Sequence, residues 1–189
     1  MRRMPEWMHV ADPVLESGGH DEVNLVFARG MGLDVLVEGL RGLRREALVS
    51  GEGNGWVWVV HDMVNADVED YDPVSYGRIC AGAELVVFVT EPCSVKAHPP
   101  HFEYYRDGRL ITCFSFEDLT QRPGDDPDYL SAELLAAKLI GPDAECDKAD
   151  EAEHDCFDHH YEDHDRIVRA VAGFFALPSP PLSPAVTAP

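Results

Sequence analysis

The stretch from His101 to Phe116 constrains the fold more than any other. His101-Phe102-Glu103-Tyr104-Tyr105-Arg106 and Arg109-Leu110-Ile111-Thr112-Cys113-Phe114-Ser115-Phe116 are both rich in β-branched and aromatic residues, and only Asp107-Gly108 separates them. Aspartate followed by glycine readily supplies the two positive φ values of a type I′ turn, so the spacing predicts a β-hairpin with a two-residue loop. In that register Tyr104 faces Ile111 and Phe102 faces Cys113 across the ladder.

Further strands and helices follow from the same kind of reading. Val23 to Ala28 is rich in strand formers and ends at a turn, Arg29-Gly30. Leu33, Leu36, Val37, Leu40 and Leu43 then recur at helical spacing, which predicts a helix with one apolar stripe that stops near Gly42. Gly51-Glu52-Gly53-Asn54-Gly55 reads as a flexible turn leading into Trp56-Val57-Trp58-Val59-Val60-His61, a strand able to be buried on both faces. Asp62 to Tyr76 reads as an acidic connection, and Leu85 to Val89 as a central strand closed by Glu91-Pro92. A loop from Gln121 to Asp128 precedes an amphipathic helix carrying Leu130, Leu134, Leu135 and Leu139, ended by Gly141-Pro142. Tyr161, His164, Val168, Val171 and Phe175 share one face of a C-terminal docking helix. The expectation is an α+β single domain over 21–176: a mixed, mainly antiparallel sheet of about five strands flanked by two to three helices. Residues 1–20 form a loosely held arm, and the proline-rich residues 177–189 a tail.

Charge is the unusual quantity. The chain has 189 residues, 45% of them apolar, enough for one ordinary core, yet 15 basic residues stand against 35 acidic ones for a net charge of −20. Such a field repels nucleic acid and anionic membrane and attracts basic protein surfaces. Eleven acids and one lysine fall between Asp143 and Asp165, so half the excess lies in one segment. No apolar run is long enough to cross a bilayer. Five widely spaced cysteines without a C-x-x-C pair fit reduced thiols, and the chain reads as cytoplasmic.

The chain holds no phosphate-binding, dinucleotide, nucleophile-elbow or H-E-x-x-H motif, and no enzymatic activity is evident from it. Four groups of residues are candidate sites. Cys146, His154, Cys156, His159, His160 and His164 form the richest ligand cluster. On a helix Cys156, His160 and His164 project to one side, at a spacing that can hold zinc; otherwise they are part of a solvated acidic face and no cofactor is needed. Cys93, His98 and His101 among prolines offer a thiol and an imidazole without a third orienting group, and His61-Asp62 offers an imidazole beside a carboxylate. Trp56, Trp58, Tyr104 and Tyr105 either line a groove or, more in keeping with aromatic residues on strands, form core.

The order of several short features resembles an uncharacterised actinobacterial domain family of unknown function. These are Arg29-Gly30-Met31 followed by Val35-Leu36, Gly55-Trp56, Phe102 through Asp107-Gly108-Arg109 to Phe114-Ser115-Phe116, and Gly124-Asp125-Asp126-Pro127 with Leu130. The likeness spans roughly residues 23 to 176 and implies this order of elements; it implies no reaction and no catalytic residue. The His/Cys/acid stretch around 143–165 is an addition to the family pattern.

The functional expectation is therefore a non-enzymatic acidic binding protein that docks on a basic protein partner. It would act as an immunity or inhibitor protein against a toxin, or as a mimic of nucleic-acid charge that occupies a nucleic-acid-binding protein. Asp67, Glu69, Asp70, Asp147, Asp150, Glu151, Asp155 and Asp158 are the expected contact residues. The alternatives are a zinc-binding protein using the cysteine and histidine cluster, and an interaction subunit of a larger assembly.

Overall fold

Six strands are laid out in the order β2-β3-β1-β4-β5-β6, and every pairing is antiparallel. They are β1 (Val23–Arg29), β2 (Ala47–Gly53), β3 (Trp56–Asp62), β4 (Glu84–Val89), β5 (His101–Arg106) and β6 (Arg109–Ser115). Among the described residues three helices, α1 (Leu33–Gly42), α2 (Ser131–Ala136) and α3 (Cys156–Phe175), accompany the sheet in an α+β domain. The computed structural model describes residues 23–62, 74–89, 100–144 and 156–178. The arm over 1–20 and the tail beyond 178 lie outside the described residues.

Strand alternation sorts the side chains into two layers. Leu25, Phe27, Trp56, Trp58, Val60, Val86, Phe88, Phe102, Tyr104 and Phe114 point to the first face and are buried. There they meet Leu130 and Leu134 from the α2 region and Ile167, Val168, Val171 and Phe175 from α3. Phe175 is the hub, with its ring centroid 4.7 Å from Tyr104 and 6.1 Å from Trp56, whose indole Nε1 donates to the Phe175 carbonyl at 3.0 Å. The second face, with Val26, Val57, Val59, Leu85, Val87 and Val89, packs against Leu36 and Leu40 of α1 and against Tyr76 and Cys80 of a short 3₁₀ turn, Tyr76–Ile79. Trp56, Trp58 and Tyr104 are thus core, while Tyr105 is half-buried on the second face.

The sixth strand is the one that glycine conceals. Gly51 is the ladder partner of Trp58, and a Cβ at Gly51 would stand 2.6 Å from Trp58 Cζ2. The indole lies over the backbone where a side chain would be, so the stretch read as a flexible turn pairs as a strand. Asn54 and Gly55, with φ of 52° and 79°, then make the two-residue turn into β3.

The β5–β6 hairpin also turns through two positive φ values, 50° at Asp107 and 79° at Gly108, but its register differs from the simple expectation. A bulge between Tyr104 and Tyr105 shifts the ladder, so that Tyr104 pairs with Thr112 and Phe102 with Phe114. An unshifted register would send Phe114 to the face opposite Phe102; the inserted residue brings both into one core, with rings 4.9 Å apart. The helix expected to run to Gly141 stops earlier, at Ala136. Lys138 takes a φ of 57°, and the Leu139 amide donates back to the Leu134 carbonyl at 2.9 Å, which swings Leu139 into the core.

The free side of β6 is closed by the loop that follows it. Pro123 accepts from the Cys113 amide at 2.9 Å, and the Asp125 and Asp126 amides donate to Leu110 and Ile111 at 3.1 and 2.9 Å. Gly124, with φ of +138°, lies directly on this strand. Edge pairing of this kind protects exposed ladder groups.

Candidate recognition surface at one end of the sheet

One transverse row of the sheet organises the chemistry. Ala47, His61, Asn24, Val89, His101 and Ser115 are successive ladder partners on the six strands. The row marks the end at which β3 and β4 finish, so segments 63–73 and 90–99 both begin there. Helix α3 reaches the same end: His164 packs edge-to-face on Phe116, just past β6, at 5.4 Å between centroids, while Phe175 lies toward the other end beside Trp56. Segment 145–155 leads directly into Cys156 at the start of that helix.

Two polar groupings line this end. Asn24 and His61 are buried neighbours, and the Tyr76 hydroxyl meets both, accepting from Asn24 Nδ2 and lying 2.9 Å from His61 Nε2. On β5 the Glu103 carboxylate is held from two sides. His101 Nε2 is 3.2 Å from one oxygen and the Tyr105 hydroxyl donates to the other at 3.0 Å. Burial first, then the Glu103 charge, pushes both the Tyr105 phenol and the Cys113 thiol up, Cys113 being the ladder partner of Glu103. Burial also pushes the Cys80 thiol up. Thiols held in the protonated form are poor nucleophiles, so these two cysteines suit packing better than catalysis.

Three arginines gather at the opposite end. Arg29 pairs with Glu84 at 2.6 Å and stacks over Trp56; Arg106 approaches Glu84 at 3.8 Å and donates to the hydroxyls of Tyr104 and Tyr129; Arg109 pairs with Asp125 at 2.8 Å. In the second half of α3, Arg166 and Arg169 pair with Asp163 and Asp165, the first of these also reaching the Ala137 carbonyl.

Of the residues expected to meet a partner, Asp67, Glu69, Asp70, Asp147, Asp150, Glu151 and Asp155 lie outside the described residues. Asp158 belongs to α3, with only its backbone described. Cys93, His98, Cys146 and His154 are likewise outside. Cys156, His159, His160 and His164 all fall on α3, and among the described residues no group of three His, Cys, Asp or Glu side chains could hold a metal ion. The sequence alone does not point to Asn24, Tyr76 or Glu103. Asn24 leaves one trace there, as a lone amide at an inward position of an otherwise apolar strand.

A family model matches residues 42–177, more than two thirds of the chain. The chain belongs to the family of unknown function DUF6461. No curated protein and no solved structure matches it. The short features quoted for the resemblance have structural explanations here. Phe102, Phe114 and Phe116 are core, Asp107-Gly108 is the hairpin turn, and Arg109 with Asp125 ties the hairpin to the loop that covers β6. The DUF6461 match begins at the last residue of α1, so it leaves out β1, which sits in the middle of the sheet. No helix among the described residues is long and apolar enough to cross a membrane.

Proposed function

We propose that this chain is an acidic binding protein that docks on a basic protein partner, as an immunity or inhibitor protein against a toxin or as a charge mimic that occupies a nucleic-acid-binding protein. The single observation that carries the reading is that the acids are concentrated: β3 leads into one acid-rich segment at one end of the sheet, and another leads into α3, whose His164 meets Phe116 at that end. Segment 63–73 contains Asp67, Glu69, Asp70 and Asp72 and no lysine or arginine; segment 145–155 contains six acids and one lysine. Four arginines are already paired within the fold: Arg29 with Glu84, Arg109 with Asp125, Arg166 with Asp163 and Arg169 with Asp165. Surplus charge concentrated in a few segments orients a basic partner during encounter and is screened by salt.

Replacing Asp147, Asp150, Glu151, Asp155 and Asp158 with Asn or Gln tests this. The immobilised wild-type chain should retain a basic protein from an extract of its native host and release it as salt rises, while the fivefold variant should retain less and show a flatter salt dependence. Equal retention and an equal salt response would reject the proposal.

A further inference from the structure

The two edges of the sheet differ. The edge of β6 is closed by the loop that follows it, while β2 ends the strand order on the other side. Gly53 and Trp56 flank the two-residue turn and form a hydrogen-bonded pair. Along this ladder Gly51 therefore also faces β3, and Ser50 and Glu52 turn their amides and carbonyls outward. Among the described residues no backbone group from beyond the β2–β3 ladder meets them. The carboxyl end of α3 delivers the chain to this edge. Trp56 Nε1 holds the Phe175 carbonyl, Asn54 Nδ2 donates to the Ala176 carbonyl at 3.4 Å, and Ala176, with φ of 52°, turns the chain out of the helix. Pro178 then lies against Gly53, where a Cβ would stand 2.9 Å from Pro178 Cβ. Residues 179–189 thus start beside the last residue of the open strand.

We propose that residues 179–189 add to the free edge of β2 as a further, antiparallel strand. From Gly53 the chain runs back toward Ala47, opposite in direction to β2. That strand has seven residues and eleven follow Pro178; at about 3.3 Å per residue in extended backbone they reach past its whole length. In an edge strand only alternate residues turn N–H and C=O to the neighbour, and proline is tolerated at the others. Ser183, Ala185 and Thr187 all carry an N–H, whereas Pro180 and Pro184 fall in the set that faces away. With Ser183 opposite Glu52 and Ala185 opposite Ser50, both outward residues of β2 are met. The same register puts Leu182, Pro184 and Val186 on the first face, beside Gly53, Gly51 and Val49, and puts Ser183 and Ala185 on the other, beside the exposed Glu52 and Ser50. The Trp58 indole over Gly51 is the apolar floor that the leucine, proline and valine extend. Ser179-Pro180-Pro181 makes the turn from the face of Gly53 to the edge.

A second copy of the chain fits this edge less well. Two molecules would bring together net charges of −20 each, which repel. Residues 179–189 carry no charged side chain, so they lie beside Glu52 without repulsion, and their attachment at Pro178 gives them a high effective concentration at β2. The pairing is independent of partner docking, which concerns the acids of segments 63–73 and 145–155.

Amide hydrogen exchange of the full chain, followed residue by residue by NMR, tests the added strand. The Ser50 and Glu52 amides should exchange slowly, like the Gly51 amide between them that β3 already holds. A185P and T187P together remove two donors from the bonding set and should speed exchange at Ser50 and Glu52 at least about tenfold while Gly51 stays slow. V186P, in the set that faces away, should leave all three slow. Wild-type Ser50 and Glu52 amides that exchange at the rate of an open chain overturn the proposal. An equal response to the two variants does the same, as does protection that grows with protein concentration alongside a doubled mass in solution, which would assign the edge to a second copy.

Discussion

Replacing Gly124 with alanine should unfasten the loop that closes the edge of β6. A Cβ at this residue would stand 2.3 Å from the Ile111 carbonyl oxygen and 2.9 Å from Thr112 Cα. Both belong to the backbone of a strand already paired on its other side with β5, so neither can move away. The loop must bear the strain or lift. Lifting breaks three hydrogen bonds, from the amides of Cys113, Asp125 and Asp126. At about 1 kcal/mol net for each, this sets a cost of about 3 kcal/mol, comparable with the ~1–3 kcal/mol of holding alanine in a sparsely populated backbone region. With a urea dependence of about 2 kcal/mol per molar, the unfolding midpoint should fall by about 1.5 M. Fluorescence of the buried Trp56 and Trp58 reports the transition. G42A is the internal control: nothing lies within 4 Å of a Cβ there and it ends α1, so alanine should stabilise by about 0.5–1 kcal/mol. A G124A midpoint within about 0.3 M of wild type, at unchanged slope, would refute the clamped-edge argument.

Two further outcomes follow from the core. Tyr76, Tyr104 and Tyr105 are pushed well above the ordinary phenol range, burial being the first cause in each. Groups raised in the folded state contribute stability that is complete below the unfolded value near pH 10 and is lost above it, at about 1.4 kcal/mol per pH unit for each. Phenolate absorbance should therefore include a component that rises together with loss of circular dichroism; complete ionisation of all tyrosines with the fold intact would contradict this. F175A removes the ring that joins Trp56, Phe102, Tyr104 and Tyr129, and should cost about 3–5 kcal/mol in chemical denaturation; a loss under about 1 kcal/mol would deny Phe175 its place at the centre of the first layer.

Much of the architecture was legible because it rests on local patterns. The apolar runs of β3 and β4, the stripe of α1 and the Asp107-Gly108 turn each appear where periodicity and turn chemistry predict them. What escaped depends on contacts distant in the chain. Gly51 and Gly53 look like turn residues until Trp58 covers the first, and the hairpin shift is explained only by a core that needs Phe114 beside Phe102. Tyr76 follows an acidic connection and has no local reason to be buried; Asn24 and His61, 52 and 15 residues away, supply it. The same limit applies to the recognition surface. Composition reveals the excess of acids, but only the fold shows that β3, which leads into one acid-rich segment, finishes at the end of the sheet where Phe116 meets α3.

The position of β1 has a consequence for how the chain can be cut. Among the described residues it is the earliest strand in sequence, yet it is wedged between β3 and β4 and is their sole bridge within the sheet. A fragment trimmed to residues 42–177 would retain a β2–β3 ribbon and a β4–β6 meander with no shared ladder. Residues 23–42 supplied as a separate peptide carry both the missing wedge and α1, and should restore the whole sheet by complementation.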